Sequence, residues 1–599
     1  MSSPRRFLAL AIVALPLVAA TLPAQLTVPE RTRGERTSTH AEVLAFIDSL
    51  TKHGAKMTVG TLGQSPQGKR LPYVILSRPL VATPAAAKAT GKPLFYIQGN
   101  IHAGEVEGKE AVQELMRDLT LGKLKSLLDS VIILFVPIYN ADGNDAFGPQ
   151  ERNRGAQLGP NMVGLRANGQ GYDLNRDYVK QEAPETRASL ALLAKWNPDL
   201  FMDLHTTDGA YHGYALTWDP GLNPNRTPTN DWVRDTVLEK VRSLVRSRDH
   251  FETFSYGESF DGGSTNPTGW RTYESLPRYG TNLNGMSRIS ILSEAMSHDS
   301  LPRRIAATYA FVLETMRYLN DHRAEMRRHQ ALTEKYRPDS VVTRGNSLAT
   351  APVRMDTVLV AIIRTLEIPA SERADSANIA NAPRTPSIKD TVGVCVAGAA
   401  GRGRGNAPRG APPGNPGVPA APPPAGRGAG GGGGGGRGNN MRVYLTGESR
   451  PVYIEVRDRF NALHKEAIPA AYVFGAEYSK VVDLMRRQGI AVQKTSAKWI
   501  GPTGHFTVDS VAHTRFFEGH CGVLLEGNWT PPATDTIPAG SFVVPTNQRL
   551  GMLASFLLEP GSEDGYTAWN FFDAGLKQGA AAPVRRMMRL PVIRMVAVP

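Results

Sequence analysis

Pro93-Leu-Phe-Tyr-Ile-Gln-Gly-Asn-Ile-His-Ala-Gly-Glu105 is the stretch on which the reading of this chain turns. Its first half, Pro93–Gln98, is a short apolar run closed by Gly99, the pattern of a buried strand. Its second half carries His102 and Glu105 in a glycine-containing loop. From about Glu105 to Leu119 the pattern becomes amphipathic and predicts a helix. Strand, polar loop and helix in that order form one βα unit.

The same grammar extends to either side. Upstream, Thr39 is a suitable N-cap for a helix reaching Leu50, with Val43, Leu44, Phe46, Ile47 and Leu50 as its apolar positions. Two strands, Met57–Leu62 and Leu71–Ser77, follow around the turn Gly63–Lys69. Downstream come the strand Val131–Ile138, ending in Asn140-Ala-Asp-Gly143, and the helix Pro184–Trp196. Strands Asp199–Leu204 and Arg288–Leu292 and a long helical region, Arg303–Lys335, close the series before Pro338. Alternation of this kind predicts α/β layers around a largely parallel sheet.

The candidate chemistry gathers at predicted strand ends. His102 and Glu105 follow one strand, and His205 follows another. Two imidazoles and one carboxylate give Zn²⁺ three protein ligands and leave a fourth position for water, as a catalytic site requires. Ligands of open α/β sheets also collect beyond the carboxyl ends of strands. Spacing alone is not decisive, because His322-Arg-Ala-Glu325 repeats it inside a charged helical stretch.

Taken in order, Gly60–Lys69, His102-Ala-Gly-Glu105, Asn140-Ala-Asp-Gly143, Asp173-Leu-Asn-Arg176, His205 and Ser293-Glu-Ala295 resemble the zinc carboxypeptidase family over about residues 30–335. The resemblance implies a three-layer α/β/α domain with a mixed, largely parallel sheet. It implies zinc held by His102, Glu105 and His205, and Glu294 as the general base that activates a water at the metal. Asn175 and Arg176 match the pair that grips a substrate's terminal carboxylate, a task suited to a planar guanidinium. Asp173 matches the acid that orients a zinc histidine. An arginine is expected to stabilise the oxyanion. Arg166, in Gly164-Leu-Arg, fits the family pattern best, with Arg152 and Arg154 as alternatives. Tyr279 is the nearest match to the family's capping tyrosine. Asp208 and His212 are candidates to line a subsite, and the pocket floor is expected within Trp270–Asn284.

The remaining sequence sets the context. The chain has 599 residues, 41% hydrophobic and 21% charged, enough for several cores. Of its formal charge of +13, five come from arginines in a Gly/Pro stretch without acids and two from Arg5 and Arg6. The modest remainder gives no argument for nucleic acid. Arg5 and Arg6 precede the apolar run Phe7–Ala20, so residues 1–24 read as a signal peptide for export to a periplasmic or extracellular compartment. No lipid anchor or membrane span is expected. The domains expected are a catalytic unit over 25–338, a strand-rich connection over 339–395, a linker or insertion over 396–440, and a C-terminal α/β or mixed accessory domain over 441–599. In 401–440, 24 of 40 residues are Gly or Pro, which cannot bury a core. Within the last part, strand Ala470–Phe474, helix Glu477–Gln488 and strand Ile490–Lys494 form a βαβ-like piece. His505, His513, His520 and Cys521 lack the spacing of a second metal site. Cys395 and Cys521 can form one disulfide.

The expected activity is that of an exported zinc metallocarboxypeptidase acting on the C-terminus of a peptide or protein. The alternatives are a zinc-dependent deacylase of N-acyl amino acids and a non-catalytic zinc or peptide-binding module.

Overall fold

The computed structural model describes residues 25–260, 266–273, 275–346, 353–367, 395, 441–590 and 595–598. The expected signal peptide and the stretch 396–440 lie outside the described residues. An eight-stranded mixed sheet organises the first part of the chain. Its strands are β1 (Thr58–Gln64), β2 (Arg70–Leu76), β3 (Leu94–Gly99), β4 (Ile132–Val136), β5 (Leu200–Thr206), β6 (Leu216–Asp219), β7 (Thr253–Ser255) and β8 (Ile289–Ala295). In space they run β1-β2-β4-β3-β5-β8-β6-β7. The middle, β4-β3-β5-β8, is parallel throughout, whereas β1, β2 and β6 join antiparallel to their inner neighbours. Every residue of β3, β4, β5 and β8 is buried. Burial on both faces explains why these strands read as unbroken apolar runs rather than alternating ones.

Helices α1 (His40–Lys52), α2 (Glu107–Thr120), α4 (Leu238–Asp249) and α5 (Leu301–Asp321) cover one face, and α3 (Pro184–Trp196) lies on the other. Thr39 caps α1 in a reciprocal pair with Glu42. The long helical region breaks at His322 (φ −104°, ψ 25°) into α5 and a second helix, Arg323–Lys335. Two glycines let the start of α2 rest directly on the sheet. A Cβ on Gly99 would stand 2.9 Å from the Gly108 backbone, and one on Gly108 would stand 2.6 Å from the Leu204 Cβ. That contact places Glu105, just ahead of α2, over the ends of β3 and β5.

The C-terminal part is a second sheet, ordered His520–Trp529, Trp499–Phe517, Ala581–Met587, Ala471–Phe474, Phe542–Pro545, Gln493–Thr495, Met595–Ala597. The helix Ser479–Arg487 connects Ala471–Phe474 to Gln493–Thr495, and Phe542–Pro545 lies between these two strands. One core runs through both parts, joining Tyr96, Tyr178 and Phe201 to Tyr472, Met485, Leu553 and Tyr566. The strands flanking the Gly/Pro stretch, Arg354–Glu367 and Met441–Arg457, pair with each other, and the second also pairs with Gly269–Arg271. Cys395 and Cys521 are joined in a disulfide. Among the described residues, no helix is long and apolar enough to cross a membrane.

Candidate metal centre and substrate cleft

His102 and Glu105 lie in the turn after β3, and His205 is the sixth residue of β5. All three are buried. The Nδ1 atoms of the two histidines are 3.2 Å apart. Glu105 bridges them, with Oε1 3.0 Å from His102 Nδ1 and Oε2 3.0 Å from His205 Nδ1. A tetrahedral ion with bonds of about 2.1 Å separates neighbouring donors by roughly 3.4 Å, close to this spacing. The rear nitrogens face acids: His102 Nε2 is 3.0 Å from Asp173 Oδ1, and His205 Nε2 is 3.2 Å from Asp203 Oδ2. Both rings therefore turn Nδ1 toward one point, with Asp173 hydrogen-bonded to the other nitrogen of His102 and Asp203 facing that of His205.

The electrostatics favour a cation there. Burial opposes charge on His205, yet Asp203 and Glu105 push its pKa well above the ordinary histidine value. Burial likewise opposes ionisation of Glu105, but His102 and Arg154 hold it well below the usual carboxylate range. Asp173 behaves alike, with Arg166 and then His102 overcoming its burial. Ionised oxygen and two imidazoles suit a divalent ion of zinc's softness. Among the described residues, this is the one cluster of at least three such side chains able to hold a metal.

Glu294 stands directly beside His205 in the parallel pairing of β8 with β5. Burial pushes its pKa up to about 8, with Glu105 and Asp208 adding to the rise and His205 and Arg154 opposing it. Two arginines reach Glu105 Oε1, Arg154 at 3.0 Å and Arg166 at 3.4 Å. Arg154 is fully engaged, binding Asp208 and the carbonyls of Thr206 and Thr207. Gly104 makes room for it, since a Cβ there would lie 2.7 Å from the Arg154 Cγ. Arg166, held by Asp173 at 2.8 Å, keeps 28% of its side chain exposed against 9% for Arg154. Arg152 lies against Gly148 and Asn153.

The structure brings the remaining expected residues together. Asp173 caps the short turn Leu174–Arg176 through the Asn175 N–H. The Asn175 side chain accepts the Gly280 N–H at 3.0 Å, and the Arg176 guanidinium lies 4.1 Å over the Tyr279 ring. Asp208 sits on Arg154, whereas His212 packs beside Tyr214 and Trp270. His505 pairs with Asp535, and His520 with Glu182 and Asn570.

Four residues escaped the sequence reading. Tyr256 and Tyr273 stack at 4.7 Å within electrostatic reach of Glu294 and Asp208. Asp203 was recoverable, because it precedes His205 by two on a strand and so shares its face. Glu518 carried no such signal, although its carboxylate accepts the Asp173 N–H at 3.2 Å.

With this geometry in place, comparison with known proteins gives the family. Residues 43–275 match the family model described as zinc carboxypeptidase. This segment is a zinc carboxypeptidase-family domain. Glu294 and Tyr279 lie beyond the matched range of that domain. The chain is 27% identical over 165 residues to Carboxypeptidase 2 of Trichophyton rubrum, covering 27% of each protein. It is 32% identical over 127 residues to Carboxypeptidase D of Anas platyrhynchos, covering 19% of this chain and 9% of that one. It thus spans about a quarter or less of the length of these curated relatives. A metallo-carboxypeptidase structure from Burkholderia cenocepacia aligns with a TM-score of 0.35 at 17% identity, over 48% of this chain and 70% of that one.

Proposed function

We propose that the chain is an exported zinc metallocarboxypeptidase that removes residues from the C-terminus of peptides or proteins. One observation carries this reading: Nδ1 of His102, Nδ1 of His205 and the Glu105 carboxylate converge with Glu294 at the neighbouring strand position. Zinc held by those three side chains would act as a Lewis acid and lower the pKa of a water. Asn175 and Arg176 would bind the terminal carboxylate, with the Tyr279 ring beside the guanidinium closing over the last residue. Glu294 would take a proton from the water that attacks the last peptide carbonyl, and pass it to the leaving nitrogen as the C–N bond breaks. Arg166 is the better placed arginine for the developing oxyanion, since Arg154 is spent on fixed partners. Asp173 and Asp203 would hold the two imidazoles in register.

The test pairs free-acid and C-terminally amidated peptides, digested by the mature protein and followed by mass spectrometry. Stepwise loss from the free acids alone, stopped by a chelator and restored by zinc, is the expected outcome. Glu294→Gln should keep stoichiometric zinc and lose about 10²–10⁴ in kcat. Internal cutting of both peptides would mean an endopeptidase. Release only from N-acyl amino acids would move the assignment to a deacylase.

A further inference from the structure

Tyr178 follows Arg176 by two residues and is 0% exposed. It touches the turn that carries Tyr279 on both sides of that residue. Its N–H donates to the Arg278 carbonyl at 3.3 Å. Its ring lies against Gly280, where a Cβ would stand 2.6 Å from the Tyr178 Cζ and 3.0 Å from its hydroxyl oxygen. Any side chain at position 280 would strike the ring. Gly280 in turn donates its N–H to the Asn175 side chain at 3.0 Å. Tyr178 thus joins the two turns of the candidate carboxylate site, Leu174–Arg176 and the one through Tyr279.

The far end of the ring rests on the sheet. The Tyr178 hydroxyl accepts an Nε2–H of Gln98 at 3.1 Å, and Gln98 Oε1 accepts the Tyr96 hydroxyl at 3.1 Å. Ser189, on α3, bonds that Tyr96 hydroxyl at 3.0 Å. Gln98 pairs in register with Asp203 on β5, the acid facing His205. Phe201 meets the Tyr178 ring edge to face at 6.3 Å, and Gln488 donates to the Tyr178 carbonyl at 3.2 Å. One rigid ring therefore spans from the strand row beneath the candidate metal site to the turns that should hold a substrate carboxylate.

A fixed span matters because the substrate is itself a ruler. Consecutive Cα atoms are about 3.8 Å apart, so capture of the terminal carboxylate decides where the last peptide carbonyl falls. A misplacement of about 1 Å there can cost roughly 10²-fold in rate. We propose that Tyr178 is a positioning residue: its ring sets the distance between the carboxylate site and the metal site, and so registers the last peptide bond against Glu294 and the metal. The inference rests on the carboxypeptidase reading and names the part that keeps its two ends in register.

The experiment approaches the contact from both sides, with the zinc-loaded full chain and N-blocked free-acid peptides. Gly280→Ala drives a Cβ into the ring and should lower kcat/KM about 10²-fold, mainly in kcat, at full zinc content. Tyr178→Leu removes the spacer and should lower it about as far, whereas Tyr178→Phe keeps the ring and should retain most of it. In the double variant the smaller side chain makes room for the Cβ. Its kcat/KM should therefore exceed the product of the two single losses by about tenfold or more. Losses that simply multiply would overturn the proposal. Zinc lost from either single variant would overturn it too, because the ring would then be holding the ligands rather than spacing the two sites. A second readout needs no turnover: cobalt in place of zinc, in a Glu294→Gln background, reports by its visible bands whether bound peptide reaches the metal. Free-acid peptide should shift those bands, lose the shift in Gly280→Ala while still binding, and regain part of it in the double variant. That pattern without turnover by the wild type would sink the peptidase reading and uphold the role of Tyr178. A band shift that survives both single variants would sink the role of Tyr178 alone.

Discussion

At the candidate metal end of the cleft, His205 and Glu294 are neighbours within a buried parallel ladder, and His102 and Glu105 occupy the turn between β3 and α2. At the proposed carboxylate end, Asn175, Arg176 and Tyr279 stand on short turns rather than strands, and supports around them come from far along the chain. The Arg278 N–H and guanidinium, adjacent to Tyr279, are held by Asp564 at 2.6 and 3.2 Å. Gln488 holds the Tyr178 carbonyl, and Glu518 the Asp173 N–H. A backbone ladder fixes strand residues without outside help, whereas turns keep their geometry only while something packs against them. Metal binding and substrate capture should therefore fail separately.

The largest effect belongs to the ladder. His205→Ala removes one of the three proposed ligands and should abolish both stoichiometric zinc, measured by elemental analysis after dialysis, and peptide turnover. Because β5 stays paired on both sides, the circular dichroism spectrum should remain that of the wild type. Retained zinc with lost activity would mean that the ion sits elsewhere. An intermediate effect belongs to the braces. Asp564→Asn keeps an acceptor for the Arg278 N–H but removes the charge facing the guanidinium. It should raise KM for free-acid peptides roughly tenfold and lower stability, since breaking a buried pair costs about 3–5 kcal/mol. Its zinc content should equal the wild type's; a fall in zinc would show that the two ends are not independent.

The same division decides how much could be read before any coordinates. The candidate ligands were legible because each follows an apolar run, and glycines at 99 and 104 mark where the chain leaves the sheet. The resemblance carried by the order of the motifs then pointed to Asp173, Asn175, Arg176 and Glu294 as further candidates. Strands β6 and β7 went unread because Leu216-Thr-Trp-Asp219 and Thr253-Phe-Ser255 are too short for a period of two to register. Thr227 followed by Pro228 did announce the helical run that leads into α4, and that signal was passed over. Asp564 and Glu518 could not have been found. Each is one acid in an unpatterned region, and its partner lies 286 or 345 residues away. Local pattern reports which side chains leave a strand end, but not which distant turn comes to rest on them.

The smallest effect should arise within the sheet and leave both ends working. Asp219, on β6, pairs with Leu292, two positions before Glu294. It accepts the Leu222 N–H at 2.8 Å, and burial pushes its pKa up to about 7. An unfolded aspartate titrates near 3.9, so the native state holds this proton more tightly. The resulting stability is fully present below about pH 4 and is lost as pH rises through 7. His212 has the opposite sign: burial lowers it to about 4, so its contribution is present above roughly pH 6.5 and disappears as pH falls toward 4. Asp219→Asn can still accept the Leu222 N–H but cannot ionise. It should melt above the wild type at both pH 5 and pH 8.5, by about 1.5 kcal/mol at the lower pH and roughly 4 kcal/mol at the higher. Thermal melts at the two pH values check this. Identical shifts at both would show that Asp219 stays ionised in the fold. A changed KM with unchanged melting would instead make β6 part of the cleft, and the sheet would no longer serve only as the frame that holds the metal end.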